Sequence, residues 1–367
     1  MIELGEFEHF MLKEIYEQPD SLTRTILPYI DQGAQSVSLG EAADSLFTQA
    51  DRAVGVACGT AYFAAATAKY WFERLARLPL ETDIASEFRY RDPVLPASGP
   101  ALFVSQSGET ADTLAALRYC KAEGRPTLAI VNVPESSIAR EADAIVPTRA
   151  GPEIGVASTK AFTAQLAVLA AAAVSAGRAR GQLDEAAMAA HAADLMAVPR
   201  RLSEALAQET GIRRIAGDLA SARDVLFLGR GVFNPLALEA ALKLKEVSYI
   251  HAEGYAAGEL KHGPIALIED GVPVVIVAPM DELFQKTVSN MQEVQARGAK
   301  VILISDAAGL EAAGTRPDHV IEMPTGGVLS QPILAAIPVQ LLAYHTALAK
   351  GCDVDQPRNL AKSVTVE

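Results

Sequence analysis

The stretch Val54-Gly-Val-Ala-Cys-Gly59 reads as a short apolar strand ending at a glycine, and a helical segment, Tyr62 to Leu75, follows it. The same form returns at Val225-Leu-Phe-Leu-Gly-Arg-Gly231, followed by Pro235 to Tyr249. On the carboxyl side of each the parallel continues. Ala101 to Val104, Thr110 to Glu123 and Thr127 to Val131 read as strand, helix and strand, and so do Val274 to Val277, Glu282 to Arg297 and Val301 to Ile304. The closing strands Ala144 to Thr148 and Val320 to Thr325 also correspond. Short apolar runs alternating with helices predict parallel sheets covered on both faces, and right-handed crossovers make each half a doubly wound layer. The spacing is too long for a solenoid repeat, so the chain is expected to hold two similar α/β domains.

The chain has 367 residues and carries 32 Lys+Arg against 45 Asp+Glu, a formal charge of −13. Half of its residues are apolar, the profile of a soluble globular protein with ample core. The acidic balance argues against a broad nucleic-acid surface, although a few local donors can still hold a small anion. Cys58, Cys120 and Cys352 are odd in number, widely spaced and form no Cys-x-x-Cys pair, so neither a disulfide framework nor a zinc site is indicated and a reducing cytoplasm fits best. The amino end has no apolar core of a leader peptide. The longest apolar stretch, Ala161 to Ala176, contains Thr163, Gln165 and Ser175 and predicts a buried helix rather than a membrane span.

The expected organisation is a helical arm over residues 1–30, a first domain over 31–180, a helical linker over 181–212, a second domain over 213–350 and a tail over 351–367. Ala164 to Ala207 reads as helices joining the halves. In open α/β sheets ligands sit at the carboxyl ends of strands. Ser105-Gln-Ser-Gly-Glu-Thr110 lies at such an end and opens a helix. Two readings stand for it: its hydroxyls cap the helix, or they and the free N–H groups cradle an oxyanion. It is not a nucleotide P-loop. Cys58-Gly-Thr60 ends the first strand in the same way, with Cys58 read as lining rather than nucleophile, and Gly151 to Lys160 is a longer loop with Ser158 and Thr159 near the next helix start.

In the second half a helix is expected from Asn234-Pro235. Glu239, Lys243 and Glu246 fall on one face of it. They are either an exposed salt-bridged face or, because the surrounding segment is so apolar, charges turned into a polar cleft. His262 sits in a loop-like stretch beside Gly263-Pro264, whereas His251 reads as a packing or partner-facing residue. Lys362 is either a solvated charge near the chain end or, if the tail folds over the strand ends, an amine able to attack a carbonyl.

Five motifs then carry a resemblance: Lys13-Glu-Ile-Tyr-Glu-Gln-Pro19, Ser105-Gln-Ser-Gly-Glu-Thr-Ala-Asp-Thr113, Gly155-Val-Ala-Ser-Thr-Lys-Ala-Phe-Thr163, Ala256-Ala-Gly-Glu-Leu-Lys-His-Gly-Pro264 and Gln356-Pro-Arg-Asn-Leu-Ala-Lys-Ser-Val-Thr-Val-Glu367. From about Phe7 onward the sequence resembles the isomerase half of the glucosamine-6-phosphate synthase family. The resemblance implies two sugar isomerase (SIS), flavodoxin-like domains and a phosphosugar substrate, fructose 6-phosphate. It implies phosphate binding by Ser105, Gln106, Ser107 and Thr110. Sugar contacts would come from Cys58, Gly59, Thr60, Val156, Ser158 and Ala361. Glu246 would move the proton between C1 and C2, Lys243 would handle proton transfer at the neighbouring oxygen, and Glu239 would support that cluster. His262 would open the ring, reaching the site from the neighbouring subunit of a homodimer, and Lys362 would form a Schiff base at C2.

The resemblance implies no metal and no organic cofactor, and neither nucleic acid nor a membrane as partner. Met1 is followed by Ile2 rather than by the family's glutaminase cysteine, so the chain is expected not to release ammonia from glutamine by itself, and a separate glutaminase is a candidate partner. A smaller departure from the resembled family is Ala61, where many of its members carry a hydroxyl residue after Cys-Gly-Thr. A deaminase running the reverse reaction and a non-catalytic phosphosugar sensor are the competing readings. Against the sensor, no basic helix-turn-helix segment precedes Leu39.

Overall fold

Runs such as Ala53–Ala57 and Thr127–Val131 offer no charged side chain to water on either face, and each is buried at every position. Such runs are stable as central parallel strands covered by helices on both sides. The computed structural model, which describes residues 3–365, places them so. Besides a short antiparallel pair, Ile30–Asp31 with Ser36–Val37, the strands are β1 (Ala53–Ala57), β2 (Leu80–Ile84), β3 (Ala101–Ser105), β4 (Thr127–Val131), β5 (Ala144–Pro147), β6 (Asp224–Gly229), β7 (His251–Ala256), β8 (Pro273–Val277), β9 (Lys300–Ser305) and β10 (His319–Glu322). They form two five-stranded sheets, β2-β1-β3-β4-β5 and β7-β6-β8-β9-β10. Both are parallel throughout. The order 2-1-3-4-5 is that of the flavodoxin-like doubly wound fold, so the two sheets repeat one topology.

The edge strands β2 and β7 are absent from the sequence-based expectation. Leu-Glu-Thr-Asp-Ile and His-Ala-Glu-Gly-Tyr-Ala are mixed and half-exposed, so no apolar run marks them. The helix expected at Asn234-Pro235 begins earlier, spanning Phe233–Ser248, with Pro235 inside its first turn, where no backbone N–H is needed. Gly229 makes this entry possible: a Cβ there would lie 2.0 Å from the Phe233 carbonyl oxygen.

The chain divides into two compact units. The amino-terminal unit holds Gln18–Glu153, Lys160–Pro199 and the tail from Ala361. Around β1–β5 its central helix is Lys160–Ala179, buried along nearly its whole length. The carboxyl-terminal unit holds the described residues through Glu17, Ile154–Thr159 and Arg200–Leu360, with Ser330–Ala349 as the corresponding buried helix beside β6–β10. These two helices are long and apolar enough to cross a membrane, yet their most apolar stretches are 100% and 89% buried within the protein, which is the burial expected for Ala161 to Ala176. Lys160–Ala179 is thus a core element of its unit rather than the start of a connection. Glu185–Met196 follows it, capped by the Asp184 carboxylate on the Ala187 N–H at 2.8 Å.

The arm is shared between the units. Its helix Gln18–Ile26 belongs to the amino-terminal one. Phe10–Tyr16 belongs to the carboxyl-terminal one, where the Asp355 carboxylate accepts the Phe10 and Met11 N–H groups at 2.8 Å each. Nearby, the carboxylate of Glu209 accepts from the Tyr16 hydroxyl and from His345 Nε2, the latter at 2.9 Å. Burial, outweighing the Glu209 hydrogen bond, lowers the pKa of His345 below its ordinary 6.5. The unfolded chain therefore takes up this proton first as the pH falls. The contribution of neutral His345 is complete above about pH 6.5 and drains away at more acid pH. We expect the melting temperature to decline on going from pH 7.5 to 5, and His345→Gln to make that decline shallower; an unchanged pH slope in the variant contradicts this account.

Candidate functional site

In a 2-1-3-4-5 sheet the crossovers diverge between the first and third strands, and the crevice at their carboxyl ends is where ligands bind. In the amino-terminal unit β1 and β3 flank that point, and they deliver Cys58-Gly59-Thr60 and Ser105–Thr110 to it. Gly59 turns the chain from β1 into the helix Gly59–Trp71 with φ +53° and is exposed, and Thr60 is half-buried. Cys58 is half-buried, with Sγ 3.8 Å from Thr113 Oγ1. Burial raises its thiol pKa, which suits lining and not nucleophilic attack.

The Ser105–Thr110 loop is held from beneath. Ser105, 3% exposed, accepts the Gly108 N–H at 3.0 Å, and its Oγ lies 3.2 Å from Thr110 Oγ1. Ser107 Oγ accepts the Glu109 N–H at 3.2 Å. The Gln106 and Gly108 carbonyls take the N–H groups of Asn132 and Ile138. Gly108 has φ +66°, and a Cβ there would come within 1.9 Å of the buried Ser136 Oγ, so only glycine fits. Glu109 turns aside: its carboxylate accepts the Ser137 N–H at 2.7 Å, and that bond holds its pKa below the usual range.

Of the two readings of this loop, capping is not realised by Thr110. It stands at the N-cap of Ala111–Ala122 and makes no side-chain bond to the helix. Gln106, Ser107 and Thr110 remain half-buried at the strand end, beside the start of a 12-residue helix. Hydroxyls and a helix start so placed can receive an anion. The Ala111 N–H donates to the carbonyl of tail residue Val364 at 3.1 Å. The tail thus lies against the helix that the loop opens.

Lys362, in the same stretch of tail, is not a freely solvated charge. Its Nζ lies 2.5 Å from Glu153 Oε2. The Lys362 side chain is 26% exposed and that of Glu153 is fully buried. The other Glu153 oxygen accepts the Ala161 N–H at 3.0 Å, in the first turn of Lys160–Ala179. Glu153 was not among the residues singled out from the sequence. Its one signal is a carboxylate in a loop just ahead of a long apolar helix. Ala361, next to Lys362, is exposed.

In the carboxyl-terminal unit Val156 and Ser158 are half-buried, and the Val156 N–H donates to the Asp355 carbonyl at 3.0 Å. On Phe233–Ser248 the exposed-face reading of the three charges fails. Glu239 and Lys243 are each 1% exposed and Glu246 is 21% exposed; Lys243 Nζ lies 3.5 Å from Glu239 Oε1 and 2.5 Å from Glu246 Oε2. The buried lysine thus joins both carboxylates and leaves Glu246 partly open. His262 is exposed and ends a 3₁₀ turn, Ala257–His262, rather than lying in an irregular loop, with Gly263 at φ +142° after it. His251 is neither packed nor hidden: 67% exposed, it pairs with Asp224 at 3.1 Å. Among the described residues no three His, Cys, Asp or Glu side chains are grouped to hold a metal ion.

Topology and loop chemistry together define a class, and the comparison with known families agrees: the SIS domain matches residues 46–175 and again 218–350. The chain belongs to the SIS domain family and carries two such domains, as the repeated strands predict. It is 58% identical over its whole length to a glutamine–fructose-6-phosphate aminotransferase (isomerizing) of Bradyrhizobium diazoefficiens and 57% identical to one of Zymomonas mobilis. It spans 60% of the length of each of those relatives. Among solved structures, the C-terminal domain of glucosamine-fructose-6-phosphate aminotransferase from Francisella tularensis superposes with a TM-score of 0.94 at 45% identity, covering 97% of this chain and all of that one. A glucosamine-6-phosphate deaminase from Thermotoga maritima superposes at 0.76 with 25% identity, covering 97% of this chain and 99% of that one.

The buried charge cluster yields a quantitative expectation. Lys243→Met removes the cation that faces the buried Glu239 carboxylate and Glu246, at a cost of about 3–5 kcal/mol. Replacing both, Lys243→Met with Glu239→Leu, should recover most of that loss. Urea unfolding of the single and double variants measures it, and a single variant as stable as the parent contradicts the assignment.

Proposed function

We propose that the chain binds fructose 6-phosphate and catalyses the isomerising amination half-reaction, giving glucosamine 6-phosphate when ammonia is supplied and glucose 6-phosphate when it is not. The observation that carries this reading is the loop at the first sheet's divergence point: half-buried Gln106, Ser107 and Thr110, the last making no cap, a helix start behind them, and a tail amine in the same unit. The phosphate is received by Ser105, Gln106, Ser107 and Thr110, and the sugar by Cys58, Gly59, Thr60, Val156, Ser158 and Ala361. Lys362 adds to the C2 carbonyl, and the iminium so formed acidifies the C1 hydrogens. Glu246, the partly open carboxylate of its cluster, moves the proton between C1 and C2. Lys243, held between two carboxylates, serves the neighbouring oxygen, and Glu239 fixes Lys243. In a homodimer, His262 of the partner subunit opens the ring.

Similarity to relatives named as aminotransferases supports the synthetic direction. The deaminase of Thermotoga maritima, alike in fold at lower identity, makes the reverse direction the second reading. Incubation with fructose 6-phosphate and ammonium should yield glucosamine 6-phosphate, and Glu246→Gln should lower the rate by about 10²-fold or more. Ammonia release from glucosamine 6-phosphate as the sole activity would establish the reverse reading. Phosphosugar binding without turnover in either direction would sink both.

A further inference from the structure

The Glu153–Lys362 pair carries a desolvation cost beyond that of a surface contact. A carboxylate whose side chain is fully buried has been drawn from water, and the cation opposite is 26% exposed. The two carboxylate oxygens face different partners: Oε1 takes the Ala161 N–H at 3.0 Å, while Oε2 meets Nζ at 2.5 Å. The first bond sits at the amino end of a 20-residue helix, whose dipole favours the carboxylate anion. The second places a basic oxygen against the one nitrogen that must lose protons to react. Val364, two residues on, is tied to the Ala111 N–H, so the tail is fastened to the helix that the loop opens as well as at Glu153.

We propose that Glu153 is the acid–base partner of the Lys362 amine. It holds the ammonium in the resting protein, accepts a proton as the amine adds to a ketose carbonyl, and returns that proton to the oxygen that departs as water. The inference rests on the Schiff-base reading given above. The step balances. The ammonium and the carbonyl give an iminium and one water, so two protons leave nitrogen with the carbonyl oxygen and one stays. The positive charge passes from ammonium to iminium, and Glu153 ends as it began, an anion facing a cation. No oxidant, metal or co-reactant enters.

Glu153→Gln is the informative change, because the amide keeps an oxygen to accept the Ala161 N–H and loses only the basic oxygen. The full chain, this variant and Glu153→Asp are mixed with fructose 6-phosphate and quenched with borohydride at timed intervals. The reduced adduct on Lys362 is counted by peptide mass spectrometry, with sugar affinity from calorimetry. We expect Glu153→Gln to slow adduct formation about 10²-fold with affinity changed less than about threefold, and Glu153→Asp to restore part of the rate. Adduct formation at the parent rate in Glu153→Gln overturns the proposal. So does a loss of affinity that accounts for the whole loss of rate, which is the behaviour of a tail merely unfastened. If the glutamine chain does not fold, Glu153→Asp decides: a slowing of about tenfold supports the proposal and the parent rate overturns it. A parent chain that yields no Lys362 adduct refutes the Schiff-base reading itself, a distinct result.

Discussion

A parallel sheet satisfies its backbone only if each crossover leaves by one face, and where successive crossovers choose opposite faces the loops part and leave a crevice at the strand ends. The amino-terminal unit depends on that opening between β1 and β3. Cys58-Gly59-Thr60 and Ser105–Thr110 are carried there because β1 and β3 are neighbours in register. Gly108, pressed against Ser136, fixes the loop's path, and the helix starting at Ala111 supplies the amino-terminal partial charge. The tail is drawn to the same region by Val364 on the Ala111 N–H and Lys362 on Glu153.

The second sheet repeats the topology without repeating the chemistry. Its counterpart of the hydroxyl loop follows β8 and reads Ala278-Pro-Met-Asp-Glu282. There the Met280 N–H is already taken by the Asp306 carboxylate at 2.9 Å, and Asp281 accepts the Leu283 N–H. Carboxylates thus take two of the backbone donors in this loop, and it carries Asp281 and Glu282 where the first loop carries hydroxyls. What this unit offers instead is the Glu239–Lys243–Glu246 cluster on Phe233–Ser248. One fold can carry different side-chain chemistry in its loops and helices, and here the two sheets do so.

How much of this was legible beforehand follows from the physics of each element. The doubled order of strands was readable because buried parallel strands are continuous apolar runs; β2 and β7 were not, because half-exposed edge strands carry mixed side chains. The apolar surroundings of Glu239, Lys243 and Glu246 hinted at their burial, yet helical spacing alone is equally consistent with a solvated face. For the Ser105–Thr110 loop the sequence leaves capping and anion binding open, and only the folded loop shows Thr110 making no cap. Glu153 escaped notice because its partners, Ala161 and Lys362, lie 8 and 209 residues away, one in a helix and the other near the chain end.

The central claim is that the loop after β3 receives a phosphate while the tail amine serves the carbon skeleton attached to it. A crystal structure of the full chain with fructose 6-phosphate bound tests it most directly. The account predicts phosphate oxygens within hydrogen-bonding distance of Ser105, Ser107 and Thr110, and Lys362 Nζ at or bonded to C2. Sugar bound with that loop empty, or with its phosphate after β8, would contradict it.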